Sequence, residues 1–320
     1  MKKINSIKIC NWIEPEYLAH YLASIFGEKG LAWLDSDGSE NGEYSFLGVN
    51  PKKIIYSQNN NLKFDNPFKK LEKIDKGFWI GWLSYEAGAW LEPKNSWHQS
   101  EMATLWIASY DPIIKFDLIR KEIFLEGLSL NNLQNYEKII KEIELAKIQN
   151  LNSTLSFDFS KLNINNQSKK FQKNICTIKE LIQKGDIFQA NLTTKCEVEA
   201  HQDYQYLDIY SKIRSKLKSP FGGIIIGDIN GDKEGVMSTS PERFLKTTYD
   251  GYVETRPIKG TRPRDKDKKK DALNAINLIT NEKDHAENIM IVDLLRNDLG
   301  KVCETGSITV TELLKLESFL

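Results

Sequence analysis

The chain has 320 residues, and its 44 lysines and arginines balance its 44 aspartates and glutamates, so its formal net charge is zero. This balance argues against a general nucleic-acid-binding protein, which needs excess cations to displace counterions from phosphates. No stretch approaches the roughly 18 consecutive apolar residues of a membrane span, and the start of the chain lacks the apolar core of a signal peptide. We therefore expect a cytoplasmic protein of about two domains that binds any anionic ligand at a local site.

Cysteines and histidines are too widely spaced to indicate a zinc site or a disulfide framework. We interpret both sets as structural residues, either buried or on the surface. They are Cys10, Cys176, Cys196 and Cys303, and His20, His98, His201 and His285.

The first region, residues 1–150, reads mainly as β-strands. Segments rich in aromatic and β-branched residues, broken by Gly, Pro, Asn and Asp, predict strands within 42–57, 77–92 and 103–127. Five of the seven tryptophans fall between residues 79 and 106, which indicates the core of a sheet. A helix is predicted from about residue 132 to residue 148.

A stretch dominated by Asn and Ser, residues 151–167, is the predicted linker to a second region, residues 168–320. That region begins with a helix whose apolar stripe ends at Gly185. Strands follow within 187–200, 222–229, 235–240, 243–249 and 251–258. A helical stretch then runs from about residue 269 to residue 300 and is broken near Asn281. We expect an α+β fold with large antiparallel sheets in a sandwich-like core and helices packed outside.

One segment of this second region, TRPIKGT at 255–261, is suited to holding a reactive lysine. Pro257 restricts its own φ and keeps Arg256 extended, whereas Gly260 permits a tight turn, so Lys259 lies on a stiff segment. A preorganised lysine whose pKa is lowered becomes a nucleophile. The alternative is an ordinary surface lysine.

A second candidate is Glu242 in the segment STSPERFL, residues 238–245. If residues 242–261 form a hairpin that turns at Tyr249–Gly251, Glu242 approaches Lys259. A carboxylic acid beside a lysine would supply a general acid and a nucleophile. The alternative is a surface salt bridge.

A third candidate is the acidic pair Asp284 and Glu287, which lie three residues apart on one face of the last helix. Such a pair suits Mg²⁺, which takes one or two carboxylates together with water and substrate oxygens. Acidic residues at this spacing are also common on solvated helix faces.

Four motifs, in this order, resemble the chorismate-utilising enzymes, the family of anthranilate synthase component I and aminodeoxychorismate synthase component I. They are GDIFQANLT (185–193), SPERF (240–244), TRPIKGT (255–261) and AENIMIVDLLRNDLGKV (286–302). In the first region, LAWLDSDG and YSFLG resemble the effector-pocket region of the family. GWLSYEAG matches another of its segments, with Trp82 in place of the usual tyrosine.

The resemblance implies a reaction and roles for the candidate residues. Lysine before the Gly of PIKGT is similar to aminodeoxychorismate synthases, whereas alanine is usual in anthranilate synthases. Lys259 would then attack C2 of chorismate, and Glu242 would protonate the departing C4 hydroxyl. Ammonia from a glutaminase subunit would add at C4, giving 4-amino-4-deoxychorismate for 4-aminobenzoate and folate. Gly260 and Thr261 would bind substrate, and Glu287 would bind Mg²⁺.

The resemblance also implies an effector pocket that binds tryptophan and is formed by Ser36, Tyr44, Ser45 and Pro220. Family members continue beyond the segment that matches the end of this chain, so we expect a C-terminally truncated member. Two alternatives stay open. One is an anthranilate or isochorismate synthase of the same family, and the other is a non-catalytic module that binds a glutaminase subunit or tryptophan.

Overall fold

The computed structural model describes residues 3–58, 65–94, 97, 102–143, 164–198 and 204–318, with only the backbone described for 164–167. The chain divides into two compact units. One comprises Met1–Ile148 together with Tyr210–Leu320, and the other comprises Gln149–Ile209. Most of the predicted linker lies outside the described residues.

The first part of the larger unit is built mainly from short strands, as predicted. The strand predictions within 42–57 and 103–127 are confirmed, whereas the 77–92 segment is a strand only in its first half. A 3-10 helix follows there, because the small residues of SYEAGAW allow a tight turn after Ser84. The predicted helix starts slightly earlier than expected, at Leu130, with the Ser129 side chain capping it. The elements are β1 (Asn5–Ile9), α1 (Pro15–Phe26), β2 (Ala32–Asp35), β3 (Tyr44–Gly48), β4 (Lys53–Ser57), α2 (Pro67–Leu71), β5 (Phe78–Leu83), the 3-10 helix (Tyr85–Trp90), β6 (Leu105–Tyr110), β7 (Ile113–Asp117), β8 (Glu122–Gly127) and α3 (Leu130–Glu142).

The smaller unit contains the helix α4 (Ile164–Lys184), which begins inside the range predicted as linker. The helix is followed by Gly185 at φ +78°, as the sequence predicts. The strand predicted within 187–200 is wrong for residues 187–198, which form no strand. No strand in the described part of the chain pairs with them, and a strand needs such a partner for its backbone groups.

The remaining elements are α5, whose first residues belong to the smaller unit, four strands and two helices. The helix break predicted near Asn281 is confirmed, because the Asn281 side chain accepts a hydrogen bond from the Asp284 N–H and caps the last helix. None of the helices in the described ranges is long and apolar enough to cross a membrane. The elements are α5 (Tyr206–Lys216), β9 (Phe221–Ile229), β10 (Asp232–Ser240), β11 (Lys246–Thr247), β12 (Val253–Glu254), α6 (Lys268–Ile279) and α7 (Glu282–Gly300).

The strands of the larger unit form antiparallel sheets, which confirms the predicted α+β fold. A seven-stranded sheet has the order β1-β8-β7-β3-β2-β9-β10, and a three-stranded sheet has the order β4-β6-β5. Strand β2 pairs with β9, with Ala32 opposite Ile225. The larger sheet therefore combines strands from near the start of the chain with strands from its second half.

Aromatic side chains fill the space between the two sheets. Trp106 of β6 is fully buried in a cluster that includes Ala32 and Ile225 of the larger sheet. The Trp82 and Trp106 rings stack with centroids 5.2 Å apart. A Cβ at Gly227 of β9 would lie 2.7 Å from the Trp82 ring, so glycine is required for this contact. Among the five clustered tryptophans only Trp106 is fully buried, and the other four are half-buried.

A buried ion cluster joins α1, β2 and α5. The Arg214 guanidinium contacts the carboxylates of Asp35 and Glu16 and lies 5.2 Å from the Trp33 ring centroid. The Tyr210 hydroxyl donates a hydrogen bond to Asp35 at 3.3 Å. Burial raises the pKa of Asp35, and the charge of Arg214 opposes this rise. The fold therefore depends on the two charges being buried together.

We predict that Arg214→Leu lowers the free energy of unfolding by about 3 kcal/mol or more, because it leaves a buried carboxylate without its cation. Loss of Arg214 raises the pKa of Asp35 further. A carboxyl whose pKa is raised by folding opposes folding above that pKa, and the opposition is lost as the pH falls through it. Urea unfolding at several pH values should show that the loss of unfolding free energy in Arg214→Leu, relative to the parent, is largest near neutral pH and becomes smaller at acidic pH.

Lys301→Leu is the control, because it removes an exposed lysine from its ion pair with Asp298. A deficit for Arg214→Leu that does not exceed that of the control, or that does not change with pH, would contradict the prediction.

Candidate functional site

The TRPIKGT segment borders a cavity of about 350 Å³ in the larger unit. The other walls are formed by α6, α7 and residues 308–318 near the end of the described chain. Lys259, Gly260 and Thr261 line the cavity, whereas Glu242 and Glu287 are not among its lining residues. The structure therefore assembles one part of the predicted site around a cavity and places two predicted carboxylates outside its walls.

The hairpin predicted within 242–261 is present and brings Glu242 to the lysine segment. Strands β11 and β12 pair with Lys246 opposite Glu254, and the turn contains Gly251 at φ +88°. Glu242 Oε1 accepts a hydrogen bond from the Ile258 N–H at 2.8 Å. The Glu242 carboxylate is thus bound to the backbone of Ile258, the residue that precedes Lys259 in the sequence.

Gly260 meets two separate requirements for glycine. Its φ is +74°, in the left-handed region that side chains disfavour. A Cβ would also lie 2.8 Å from Asp284 Cγ of α7 and 2.9 Å from the Leu278 side chain of α6. The turn after Lys259 therefore packs directly against both helices.

Lys259 differs from the other cations that line the cavity. Five lysines and arginines of the lining each lie within ion-pair distance of a carboxylate, in the pairs Arg256–Glu317, Arg262–Asp284, Arg264–Asp271, Arg296–Asp293 and Lys315–Glu312. Half-buried Lys259 has no ion pair or hydrogen bond with any part of the chain that the structure describes. Its amine is therefore available to a ligand.

His285 of α7 is a cavity residue that the sequence analysis missed. Its Nε2 atom is buried and has no hydrogen-bond partner within the described ranges. We interpreted the histidines as structural because none is near another in sequence. The available signal was the position of His285 beside Asp284 on the helix face that meets the lysine segment.

The acidic pair of α7 divides into two different environments. Asp284 is bound to Arg262 at 2.8 Å, which leaves its carboxylate engaged. Glu287 is half-buried and has no ion pair or hydrogen bond to a described residue. Among the described residues, no group of three His, Cys, Asp or Glu side chains could hold a metal ion. Glu287 could therefore contribute a single carboxylate to a metal whose other ligands are substrate and water.

The residues predicted for an effector pocket lie directly after β2, at the start of β3 and directly before β9. The Ser36 hydroxyl donates to the Pro220 carbonyl at 2.8 Å, so these two are in contact. Ser45 is fully buried, where it accepts from Trp33 Nε1 and donates to the Leu34 carbonyl. The Tyr44 ring is half-buried, with the Lys115 ammonium 4.3 Å from its centroid. Binding of tryptophan by this group stays a prediction.

Comparisons with known proteins agree on one family. The sequence model described as chorismate binding enzyme matches residues 32–320. Anthranilate synthase component I-like protein of Synechocystis sp. is 30% identical, over 97% of this chain and 67% of that protein. Aminodeoxychorismate synthase component 1 of Klebsiella aerogenes is 30% identical, over 75% of this chain and 51% of that protein.

A solved structure shows the same fold. Anthranilate synthase component I from Streptococcus pneumoniae TIGR4 superposes with a TM-score of 0.62 at 23% identity, over 88% of this chain and 67% of that one. The chain thus spans about two thirds or less of the length of these proteins.

We predict that Gly260→Ala destabilises the protein more than Gly251→Ala does. Both glycines have positive φ, which costs alanine about 1 kcal/mol. Only at Gly260 would the new Cβ also meet packed atoms, which adds about 1–3 kcal/mol. Urea unfolding of the two variants measures the difference, and equal losses of stability would contradict the close packing of Gly260 against α6 and α7.

Proposed function

Because the chain belongs to the family of chorismate binding enzymes, we propose that it acts as aminodeoxychorismate synthase component I. The reaction would convert chorismate and ammonia to 4-amino-4-deoxychorismate, the precursor of 4-aminobenzoate in folate biosynthesis. The observation that carries the proposal is Lys259, which lines the cavity and is the cation of the described lining that has no carboxylate partner. Lysine at this place in the PIKGT motif distinguishes the proposed reaction from anthranilate synthesis.

Lys259 is proposed as the nucleophile. Its neutral amine forms a bond to C2 of chorismate, the ring double bond shifts, and the bond from C4 to its hydroxyl breaks. Ammonia then bonds to C4 as the lysine is expelled from C2, so the free enzyme is regenerated. The covalent adduct divides one difficult displacement into two easier ones. Because Lys259 has no ion pair with a described residue, it can react without first breaking one of the ion pairs that the structure describes.

Glu242 is proposed as the general acid. A C4 hydroxyl leaves poorly as hydroxide, and protonation by a carboxylic acid lets it leave as water. The hydrogen bond from the Ile258 N–H to Glu242 Oε1 holds the carboxyl group in a defined position beside the lysine segment. Its second oxygen is left to carry and deliver the proton.

Glu287 is the residue that we propose to hold Mg²⁺. A half-buried carboxylate that pairs with no cation among the described residues suits a metal that takes one or two carboxylates and completes its shell with water and substrate. When bound, the metal would neutralise the ring carboxylate of the substrate. This local charge matters because a protein of zero net charge offers a dianion no general attraction.

Ammonia is proposed to come from a glutaminase subunit. Several relatives are named as component 1 of a synthase, and such a name indicates a protein with at least one further component. The alternative reaction is anthranilate synthesis, because relatives with that name are also similar over most of this chain. The two products differ in the carbon that receives nitrogen, so product analysis separates them.

We predict that the chain converts chorismate with ammonia and Mg²⁺ to aminodeoxychorismate, detected as 4-aminobenzoate after treatment with the lyase. Lys259→Ala should lower this rate by about 10³-fold or more, because it removes the nucleophile. Omission of Mg²⁺ should also abolish turnover. Lys246→Ala is the matched control, because Lys246 is an exposed lysine on the neighbouring hairpin. Formation of anthranilate, or an unchanged rate in Lys259→Ala, would overturn the assignment.

We predict that Glu242→Gln lowers turnover by about 10²- to 10⁴-fold while the fold stays intact, because glutamine keeps an oxygen that accepts from the Ile258 N–H but cannot donate a catalytic proton. Glu242→Ala would lose both functions. Rates and thermal unfolding are compared for the two variants. A Glu242→Gln enzyme as fast as the parent would show that Glu242 serves only to hold the segment.

A further inference from the structure

We infer that Arg256 is a positioning residue for Lys259 and that Asn41 anchors Arg256 from a distant loop. The inference deepens the proposed function, because it concerns how the proposed nucleophile is held. Neither residue touches the predicted reacting atoms. Their role follows from a set of contacts that no local sequence pattern contains.

The guanidinium of Arg256 is held from three different parts of the chain. Its Nη1 donates to Asn41 Oδ1 at 2.8 Å and to Glu317 Oε1 at 3.4 Å, and its Nε lies 3.3 Å from Glu254 Oε1. Asn41 Nδ2 also donates to Glu317 Oε2 at 3.2 Å. Asn41, Arg256 and Glu317 therefore form a closed triangle of hydrogen bonds that fixes the guanidinium in one place.

Asn41 is itself fixed, because its loop is tied to the large sheet. The Gly38 N–H donates to the Gly42 carbonyl at 3.1 Å and closes the loop between β2 and β3. A Cβ at Gly42 would lie 3.0 Å from Pro220 Cα, and Ser36 is hydrogen-bonded to the Pro220 carbonyl. The loop that carries Asn41 is therefore closed on itself and packed against Pro220, directly before β9.

The segment between Arg256 and Lys259 has little freedom to absorb a displacement. Pro257 has a fixed φ and restricts Arg256 to an extended backbone. The N–H of Ile258 is bound to Glu242, and Gly260, directly after Lys259, is packed against α6 and α7. A change in the position of the Arg256 backbone therefore passes on to Lys259 and to the bond that Glu242 makes.

The test uses the full 320-residue chain and two measurements on each variant. The first is the rate at which trace acetic anhydride acetylates Lys259, relative to the other lysines, measured by peptide mass spectrometry. The second is turnover of chorismate with ammonia and Mg²⁺, divided into kcat and KM. The variants are Arg256→Met, Arg256→Lys, Asn41→Ala and the double variant Asn41→Ala with Arg256→Met. The control is Lys301→Met, which removes an exposed cation from its ion pair with the exposed Asp298.

We expect Arg256→Met to raise the acetylation of Lys259 and to lower kcat, each by about tenfold or more, with KM within about threefold; tenfold in rate corresponds to about 1.4 kcal/mol. A released segment exposes the half-buried amine to reagent but places it poorly for substrate. Arg256→Lys should recover part of both effects, because it keeps the charge but loses the planar fork. Asn41→Ala should act in the same direction, and the double variant should equal Arg256→Met alone, because Asn41 acts through Arg256.

Three results would overturn the inference. One is a rate of Lys259 acetylation in Arg256→Met that lies within twofold of the parent rate. Another is an equal increase in the acetylation rate of all lysines, which indicates general unfolding. The third is full additivity of the Asn41 and Arg256 effects. If the parent chain shows no turnover, the proposed function fails, and the acetylation rates alone then decide whether Arg256 positions Lys259.

Discussion

Strand β9 lies between β2 and β10 in the larger sheet. Its pairing with β2 joins the two sequence segments that form the larger unit. Ile224 and Ile226 of β9 are fully buried, and Gly227 admits the Trp82 and Trp106 rings of the second sheet. The same pairing sets Pro220, directly before β9, against the loop that follows β2. Both the sandwich core and the anchoring of Arg256 through Asn41 therefore depend on this contact between strands far apart in sequence.

Individual charged groups of this protein are neutralised by nearby groups of opposite charge, and the zero net charge of the chain does not by itself neutralise them. The buried carboxylate of Asp35 is paired with Arg214, which also contacts half-buried Glu16, because an isolated charge would be too costly to bury. The same rule applies around the cavity, where carboxylates neutralise five of the cations in the described lining. Against that background Lys259 lines the cavity without an ion pair or hydrogen bond to a described residue, and outside the lining Glu287 has none either.

Several local features were predictable because a few adjacent residues determine them. Asn281 caps α7 through its own side chain, and Gly251 supplies the positive φ of the hairpin turn. The approach of Glu242 to the lysine segment follows from that hairpin. Predictions of strands, which must pair with a distant part of the chain, were less successful. Residues 187–198 have the composition of a strand but pair with none of the described strands, and Tyr85–Trp90 form a 3-10 helix where the aromatic pattern suggested a strand.

The sequence by itself determined the α+β class, several of the strands and helices, and the motifs that indicate a chorismate-utilising enzyme, because propensity, capping and turn chemistry act over a few residues. The stiffness of the chain before Lys259 was also predictable from the sequence, because Pro257 restricts its own φ and the backbone of the residue before it. Gly260 likewise indicated a turn after Lys259. Only the tertiary structure decided that Lys259 pairs with none of the described residues while the other cations of its cavity are neutralised, that His285 lines the cavity, and that Arg256 is held by Asn41. Those facts depend on pairing and packing between distant residues, and an ion pair between segments leaves no periodic trace in the sequence.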